Sequence, residues 1–375
     1  MSEQVTYLET GSLDPHYNLA FEEYVLCNRR EGEYLLLWQN DNTIVIGQNQ
    51  NAEAEINRAF VEEHHINVVR RTTGGGAVYH DLGNLNYSFI TDAGDSDQLA
   101  MERFTRPVVE ALKALGLQAE ASGRNDILVE GRKVSGTAQR IVKGRILHHG
   151  TLLFDANPSM VAGALRVDPE KFRSKSTKSV RSRIGNIRDF LQQDMNLPAF
   201  WTFLKEQLAG SGMVTGALMP QELEAVEALK HKKYDQWDWN FGRSPQYDMT
   251  NKRYWDGGCL EVRICVADGS IQDIVFYGDF LAVRPLDEVE AALRGCRFRR
   301  EDVAWVLDRF PITAYFGGIR KEEILDTMFY ITEANQWCTL KSYLLRLLNK
   351  RILKSVRTPE SVVFSMLSGL SALRC

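Results

Sequence analysis

Arg70-Arg71-Thr72-Thr73-Gly74-Gly75-Gly76-Ala77-Val78-Tyr79-His80-Asp81-Leu82-Gly83-Asn84-Leu85-Asn86 joins two strand-like runs, 67–70 and 85–90. Glycine loses more conformational freedom on folding than any other residue, so three in succession between core-like runs need a cause. The cause that fits is backbone brought close against a ligand. The paired arginines ahead of the glycines point to an anionic ligand, because a guanidinium fork matches phosphate and carboxylate oxygens. Neither G-x-x-x-x-G-K-[ST] nor G-x-G-x-x-G is present here, so the loop is neither a Walker site nor a dinucleotide fingerprint.

Upstream, residues 6–10 read as a strand. Residues 17–29 read as a helix entered at Asp14-Pro15, with Leu19, Phe21, Tyr24 and Val25 at helical spacing. The apolar runs 34–38 and 43–47 flank Asn40-Asp41-Asn42 and read as a hairpin, and 52–63 as a helix. Downstream, 101–115 is a helix with Phe104, Val108, Leu112 and Leu115 on one face, 127–129 and 149–154 are strands, and 186–209 is helical. A second unit follows, with strands 260–265 and 271–277 around Asp268-Gly269 and a helix at 286–293. The expected fold is α+β: a mixed, largely antiparallel sheet with packed helices, plus a small α+β C-terminal domain. The expected boundaries are 1–215 for a catalytic domain, 220–329 for an accessory domain and 330–375 for a basic amphipathic tail.

The chain has 375 residues and a formal net charge of −4. That length suits two domains, and mild acidity gives no support for general nucleic-acid binding. None of the six cysteines (Cys27, Cys259, Cys265, Cys296, Cys338, Cys375) form a C-x-x-C pair, which argues against zinc and thioredoxin-like redox sites. No basic and apolar leader follows Met1, and no run is long and apolar enough to span a bilayer. A cytoplasmic protein with no stable membrane association is expected.

Three further constellations carry chemistry. Asn125-Asp126 precedes a strand, and Lys133 enters the small-residue segment Val134-Ser135-Gly136-Thr137-Ala138. A lysine held there is a fixed charge with three donors, suited to an acyl-phosphate anhydride. His148 and His149 are adjacent on a strand and so face opposite ways, which leaves one as a core or supporting hydrogen-bonding group. Lys178-Ser179-Val180-Arg181-Ser182-Arg183 reads either as a solvated loop or as a mobile anion-contacting lid.

Taken in order, these segments resemble the lipoate–protein ligase A family. The resemblance rests on Arg70-Arg71-x-x-Gly74-Gly75-Gly76-x-Val78-x-His80-Asp81-x-Gly83-Asn84, Gly123-Arg124-Asn125-Asp126, Arg132-Lys133-Val134-Ser135-Gly136-x-Ala138, His148-His149-Gly150-Thr151 and Ser179-Val180-Arg181-Ser182-Arg183. Asn18-Leu19-Ala20-x-Glu22-Glu23, Val45-Ile46-Gly47-x-x-Gln50-Asn51 and Trp237-x-Trp239-Asn240-Phe241-Gly242 fit as well, so it covers roughly residues 5–325.

The resemblance implies a biotin-ligase-like (class II synthetase-like) catalytic domain that activates lipoate with ATP and Mg²⁺, then transfers the lipoyl group to a lysine. The implied acceptors are lipoyl domains of 2-oxoacid dehydrogenase acyltransferase subunits and the glycine-cleavage H protein. It implies Lys133 as the central electrostatic residue. Arg70 would position lipoate and phosphate, and Gly74, Gly75, Gly76, Ala77, Val78 and Tyr79 would lie along the acyl chain. Asn125 and Asp126 would hold phosphate and Mg²⁺, with Asp126 as the metal ligand. Ala138 would lie beside the adenylate, Arg140 would reach the ligand, and Ser179–Arg183 would cover the adenylate. Related octanoyltransferases use a cysteine acyl-enzyme, but no cysteine lies between Cys27 and Cys259, where the catalytic motifs are. Two other readings are a lipoyltransferase fed with preformed lipoyl-adenylate and a non-catalytic binding protein.

Overall fold

The structure is a computed structural model that describes residues 4–94, 100–123, 125–165, 184–210, 212–241, 249–267 and 269–329. The chain divides into two compact units, Met1–Met328 and Phe329–Cys375. The lid segment 178–183 and the basic tail from 330 lie outside the described residues.

An eight-stranded mixed sheet is built in the order β11 (Met213–Thr215), β1 (Val5–Glu9), β2 (Glu33–Trp38), β6 (Asn84–Asp92), β10 (Arg145–Leu153), β9 (Arg132–Val142), β8 (Asp126–Val129), β7 (Ala119–Ser122). β1 runs parallel to both its neighbours, and the other pairs are antiparallel. Side chains alternate between the two faces of each strand. On one face Leu35, Leu37, Tyr87 and Phe89 pack against Phe104, Val108 and Leu112 of helix α2 (Met101–Ala114) and Phe200, Leu204 and Leu208 of helix α3 (Leu197–Ala209). On the other, Leu36, Trp38, Ile90 and Leu147 pack against Leu19, Val25 and Leu26 of helix α1 (Pro15–Asn28). Each such buried Leu or Phe contributes about 1.5–3 kcal/mol. α1 starts where the sequence directs it: the Asp14 carboxylate accepts from His16 N at 2.9 Å, and Pro15 occupies the first turn.

The hairpin expected at 34–47 is absent. β2 pairs with β1 and β6, while β3 (Thr43–Ile46) pairs with β4 (Asn67–Arg70) and β5 (Val78–His80) in a separate three-stranded sheet. All four residues of β3 are buried, which a two-stranded arm could not achieve. The buried Asn40 side chain anchors the crossing: it accepts from Asn18 Nδ2 at 2.9 Å and meets His80 Nδ1 at 3.2 Å. The helix expected over 186–209 is also broken, with one 3₁₀ turn at Ile187–Phe190 and then α3, capped by Asn196 and opened by Pro198.

Residues 220–241 pack on α1: Val226, Tyr234 and Trp239 join the same apolar cluster. Beyond them β12 (Met249–Trp255), β13 (Gly258–Ala267) and β14 (Ser270–Gly278) form an antiparallel sheet that includes the hairpin read from the sequence. The segment after β14 reaches back to the glycine loop. Gly75 N donates to Phe280 O at 3.2 Å, and Ile141 N of β9 donates to Val283 O at 2.9 Å.

Candidate active site

One cross-strand row sets out the floor of the site. Trp38 pairs with Asn86, and Asn86 with Thr151; Gly136 N donates to Thr151 Oγ1 at 3.2 Å, and Gly136 pairs with Asp126. Paired residues share a face, so this row runs from β2 across β6, β10 and β9 to β8. Three strand spacings separate Trp38 from β9, about 14 Å. Above the row lies a cavity of about 120 Å³, walled by Leu19 of α1, Val45 of β3 and the glycine loop from Gly75 to Val78. Its β2 end carries Trp38, with Asn86 and His80 beside it. Its β9 end carries Lys133, Asn125, Thr137 and Ala138.

Lys133 Nζ lies 2.7 Å from Asp126 Oδ1, and both side chains are about one-third exposed. Lys133 is thus a half-buried cation at the cavity mouth. A register shift between β8 and β9 falls at Ile127/Leu128, opposite the segment that carries Lys133, and Gly185 N donates to the Lys133 carbonyl at 2.9 Å. Asn125 Nδ2 donates to Thr137 O at 2.8 Å, leaving its amide oxygen as the group it can offer a ligand.

The three glycines answer three different demands. A β-carbon on Gly74 would meet Phe280 O at 2.7 Å, so Gly74 seats the segment after β14. Gly75 has φ +91, which a side chain rarely tolerates. Gly76 has open space where a β-carbon would go, and it lines the cavity.

The arginine that forms the cavity wall is Arg71, not Arg70. Arg71 Nη2 donates to Gly74 O at 2.7 Å and Gly76 O at 2.8 Å, and its Nε to Thr73 Oγ1 at 3.0 Å. Thr73 Oγ1 is 2.7 Å from His149 Nε2, and His149 Nδ1 is 2.9 Å from Glu22 Oε1. The Glu22 carboxylate only accepts, so His149 Nδ1–H donates to it, while the Thr73 hydroxyl accepts from Arg71 and can donate to His149 Nε2. Ser88 Oγ donates to the same carboxylate at 2.6 Å. This buried chain fixes the loop carbonyls. Sequence reading singled out neither Arg71 alone nor Trp38, Glu22 and Thr73; only the alternation of β4 and the pairing of three strands select them.

Arg70 turns away. Its guanidinium donates to Gly47 O, Gln48 O, Gln50 O, Trp239 O and Asn240 O, all at 2.7–3.0 Å. Burial lowers its pKa to about 10, which still leaves it charged at neutral pH. Tyr79 also points elsewhere, into the cluster with Ile44 and Ile46, its hydroxyl donating to Asn42 Oδ1 at 2.9 Å. Arg140 sits outside the cavity lining, with Nη1 3.6 Å from Glu23 Oε1. Arg70, Tyr79 and Arg140, three of the expected ligand contacts, thus lie outside the lining of this cavity. Gly75, Gly76, Ala77, Val78, Asn125, Lys133 and Ala138 do line one cavity.

His80 and His148 are both fully buried, and burial first, then nearby positive groups, pushes each pKa down to about 3. His148 stacks on Phe104, with ring centroids 5.0 Å apart. The unfolded chain takes up these protons near pH 6.5 and the folded chain does not, so stability falls as pH drops from 6.5 toward 3. The slope from the two groups together rises from about 1.4 kcal/mol per pH unit at pH 6.5 to about 2.7 near pH 5. Urea midpoints measured from pH 7.5 to 5 should decline steadily below 6.5; a flat profile would contradict the two burials.

Residues 14–209 match the family described as "Lipoyl protein ligase A/B catalytic domain", and residues 244–328 match "Bacterial lipoate protein ligase C-terminus". The chain belongs to the lipoate–protein ligase family. It is 44% identical over 322 residues to lipoate-protein ligase LplJ of Bacillus subtilis (strain 168), covering 84% of this chain and 97% of that relative. A bipartite lipoate protein ligase from Thermoplasma acidophilum, solved in a study with its E2 lipoyl domain, is 31% identical with a TM-score of 0.57. That match covers 66% of this chain and 98% of the other. A lipoate-protein ligase A crystallised with ATP is 28% identical with a TM-score of 0.55, covering 64% of this chain and 99% of that one. Like these ligases, the chain is an enzyme with a large mixed sheet. No helix among the described residues is long and apolar enough to cross a membrane.

Proposed function

We propose that this chain activates lipoate with ATP and passes the lipoyl group to a lysine of a lipoyl domain. The observation that carries the reading is the trough itself, apolar at Trp38 and Val45 and cationic at Lys133. An eight-carbon acid laid along it puts its carboxylate beside Lys133. In the first step a carboxylate oxygen attacks the α-phosphorus of ATP and pyrophosphate leaves. In the second the lysine amine attacks the acyl carbonyl and AMP leaves. Neither step needs a protein nucleophile. Cys27, on α1, is outside the cavity lining, and burial raises its pKa, so it gives no support to a thiolate acyl carrier.

Lys133 neutralises charge growing on the carbonyl and phosphate oxygens, where a preorganised cation acts most strongly. Ala138 keeps the floor low beside the adenylate. Magnesium arrives with ATP as part of the substrate. Among the described residues no group of three acidic, histidine or cysteine side chains converges on a cation. Magnesium bound with a nucleotide keeps several waters and takes one or two carboxylates plus phosphates; Asp126, with the Asn125 amide oxygen, would supply the protein's share. Arg71 and Gly76 shape the wall, and Arg70 holds the loop behind it. Acceptors on this reading are the lipoyl domains of 2-oxoacid dehydrogenase complexes and the glycine-cleavage H protein, met in the cytoplasm.

The test is lipoate-dependent ATP–pyrophosphate exchange by the purified chain with Mg²⁺ and no acceptor, followed by transfer to an isolated lipoyl domain. Exchange and transfer together are the expected result. Transfer from synthetic lipoyl-adenylate without exchange would restrict the chain to the second step. Loss of both would overturn the proposal.

A further inference from the structure

His80 lies at the β2 end of the trough, 3% exposed, with its ring edge-on to Trp38 and the centroids 6.4 Å apart. Its hydrogen bonding fixes which nitrogen bears the proton. Asn18 Nδ2 contacts Ser12 O at 3.0 Å and Gln39 O at 2.7 Å, so that atom is the amide nitrogen and donates to Asn40 Oδ1 at 2.9 Å. Asn40 must then present Nδ2 to His80 Nδ1 at 3.2 Å, and Nδ1 accepts. The proton is on Nε2. That N–H is buried and has no acceptor in the protein among the described residues. The cavity that His80 lines has Leu19, Trp38, Val45 and Val78 in its wall, together with Arg71, Asn86 and His149.

An unmet buried donor carries a desolvation cost unless the ligand meets it. A hydrocarbon chain cannot. A ring sulfur can, because divalent sulfur is a weak acceptor, and sulfur beside an aromatic ring is also favoured. We propose that His80 is the specificity residue of this trough: its Nε2–H donates to a sulfur of the dithiolane and disfavours straight-chain acyl groups of the same length. The proposal rests on the lipoate-ligase reading. It adds that the far end of the trough reads sulfur chemistry and not length alone, as sites built around a polar contact reject analogues that lack it.

The experiment compares lipoate, octanoate and 5-cyclopentylpentanoate, which keeps the five-membered ring and chain but replaces both sulfurs by carbon. Dissociation constants and exchange kinetics are measured on the full chain and on His80→Phe. The parent should prefer lipoate over the cyclopentyl acid by about tenfold, equivalent to about 1.4 kcal/mol. His80→Phe should bring that ratio to within about twofold of one, chiefly through weaker lipoate binding. Equal binding of the two ring acids by the parent overturns the proposal without any variant, so a His80→Phe chain that fails to fold does not shield it. An unchanged ratio in a folded variant, with all three acids weakened alike, makes His80 a structural residue and also overturns it. In both cases lipoate-dependent exchange persists, so the ligase reading stands. Absence of exchange with every acid is the different failure, that of the ligase reading itself.

Discussion

Lys133→Ala lowers lipoate-dependent ATP–pyrophosphate exchange by about 10²–10³-fold, the usual loss when a preorganised charge is removed from developing negative oxygens. It lowers transfer from preformed lipoyl-adenylate by a similar factor, because the same carbonyl and phosphate oxygens gain or shed charge in both steps. The fall is mainly in kcat, since the cation acts on charge that is largest in the transition state. The fold is left intact. Lys133 and Asp126 form one ion pair with both side chains about one-third exposed, and pairs this open to water contribute about 0–1 kcal/mol. Thermal unfolding with both half-reactions on one preparation separates the two effects. A folded Lys133→Ala chain within threefold of the parent in either half-reaction would remove Lys133 from the chemistry. Lys133→Met adds a control, because it keeps the aliphatic stem and loses only the charge.

The glycine loop and Lys133 were legible in the sequence, and the strand pairing that walls the cavity was not. A glycine triplet and a lysine just ahead of Val134-Ser135-Gly136 are local signals, and Gly75, Gly76 and Lys133 line the cavity. The choice between Arg70 and Arg71 is not local. Neighbouring residues on a strand face opposite ways, and which way is inward depends on β3 and β5 as neighbours of β4, chain segments far apart in sequence. The same limit produced the false hairpin. Residues 34–38 and 43–47 have the length and spacing of hairpin arms, and only long-range pairing of β2 with β6 and of β3 with β4 separates them. Trp38 reads from sequence as one apolar residue at the end of an apolar run. Its place over the far end of the trough follows from its register with Asn86.

Arg70→Met destabilises the protein on the order of 4 kcal/mol or more and lowers its melting temperature by about 6 °C or more. The five carbonyls that Arg70 holds come from two places: Gly47, Gln48 and Gln50 at the end of β3, and Trp239 and Asn240 on the segment packed on α1. Asn240 Oδ1 also accepts from Arg70 N at 2.9 Å, and Trp239 Nε1 donates to Arg70 O at 2.9 Å, so one residue ties three chain segments. Each buried acceptor left bare costs about 1–3 kcal/mol, and such costs overlap when water can enter. Arg70→Lys recovers only part of the loss. An ammonium has three donors at one point, so it can serve the 47–50 carbonyls but not reach both groups at once as the planar fork does. The expected order of melting temperatures is parent, then Arg70→Lys, then Arg70→Met, with lipoate affinity of the folded fraction reduced less than in Arg71→Met. If instead Arg70→Met melts with the parent and loses lipoate binding, Arg70 is a ligand contact, and the ring of carbonyls around it is not what holds it in place.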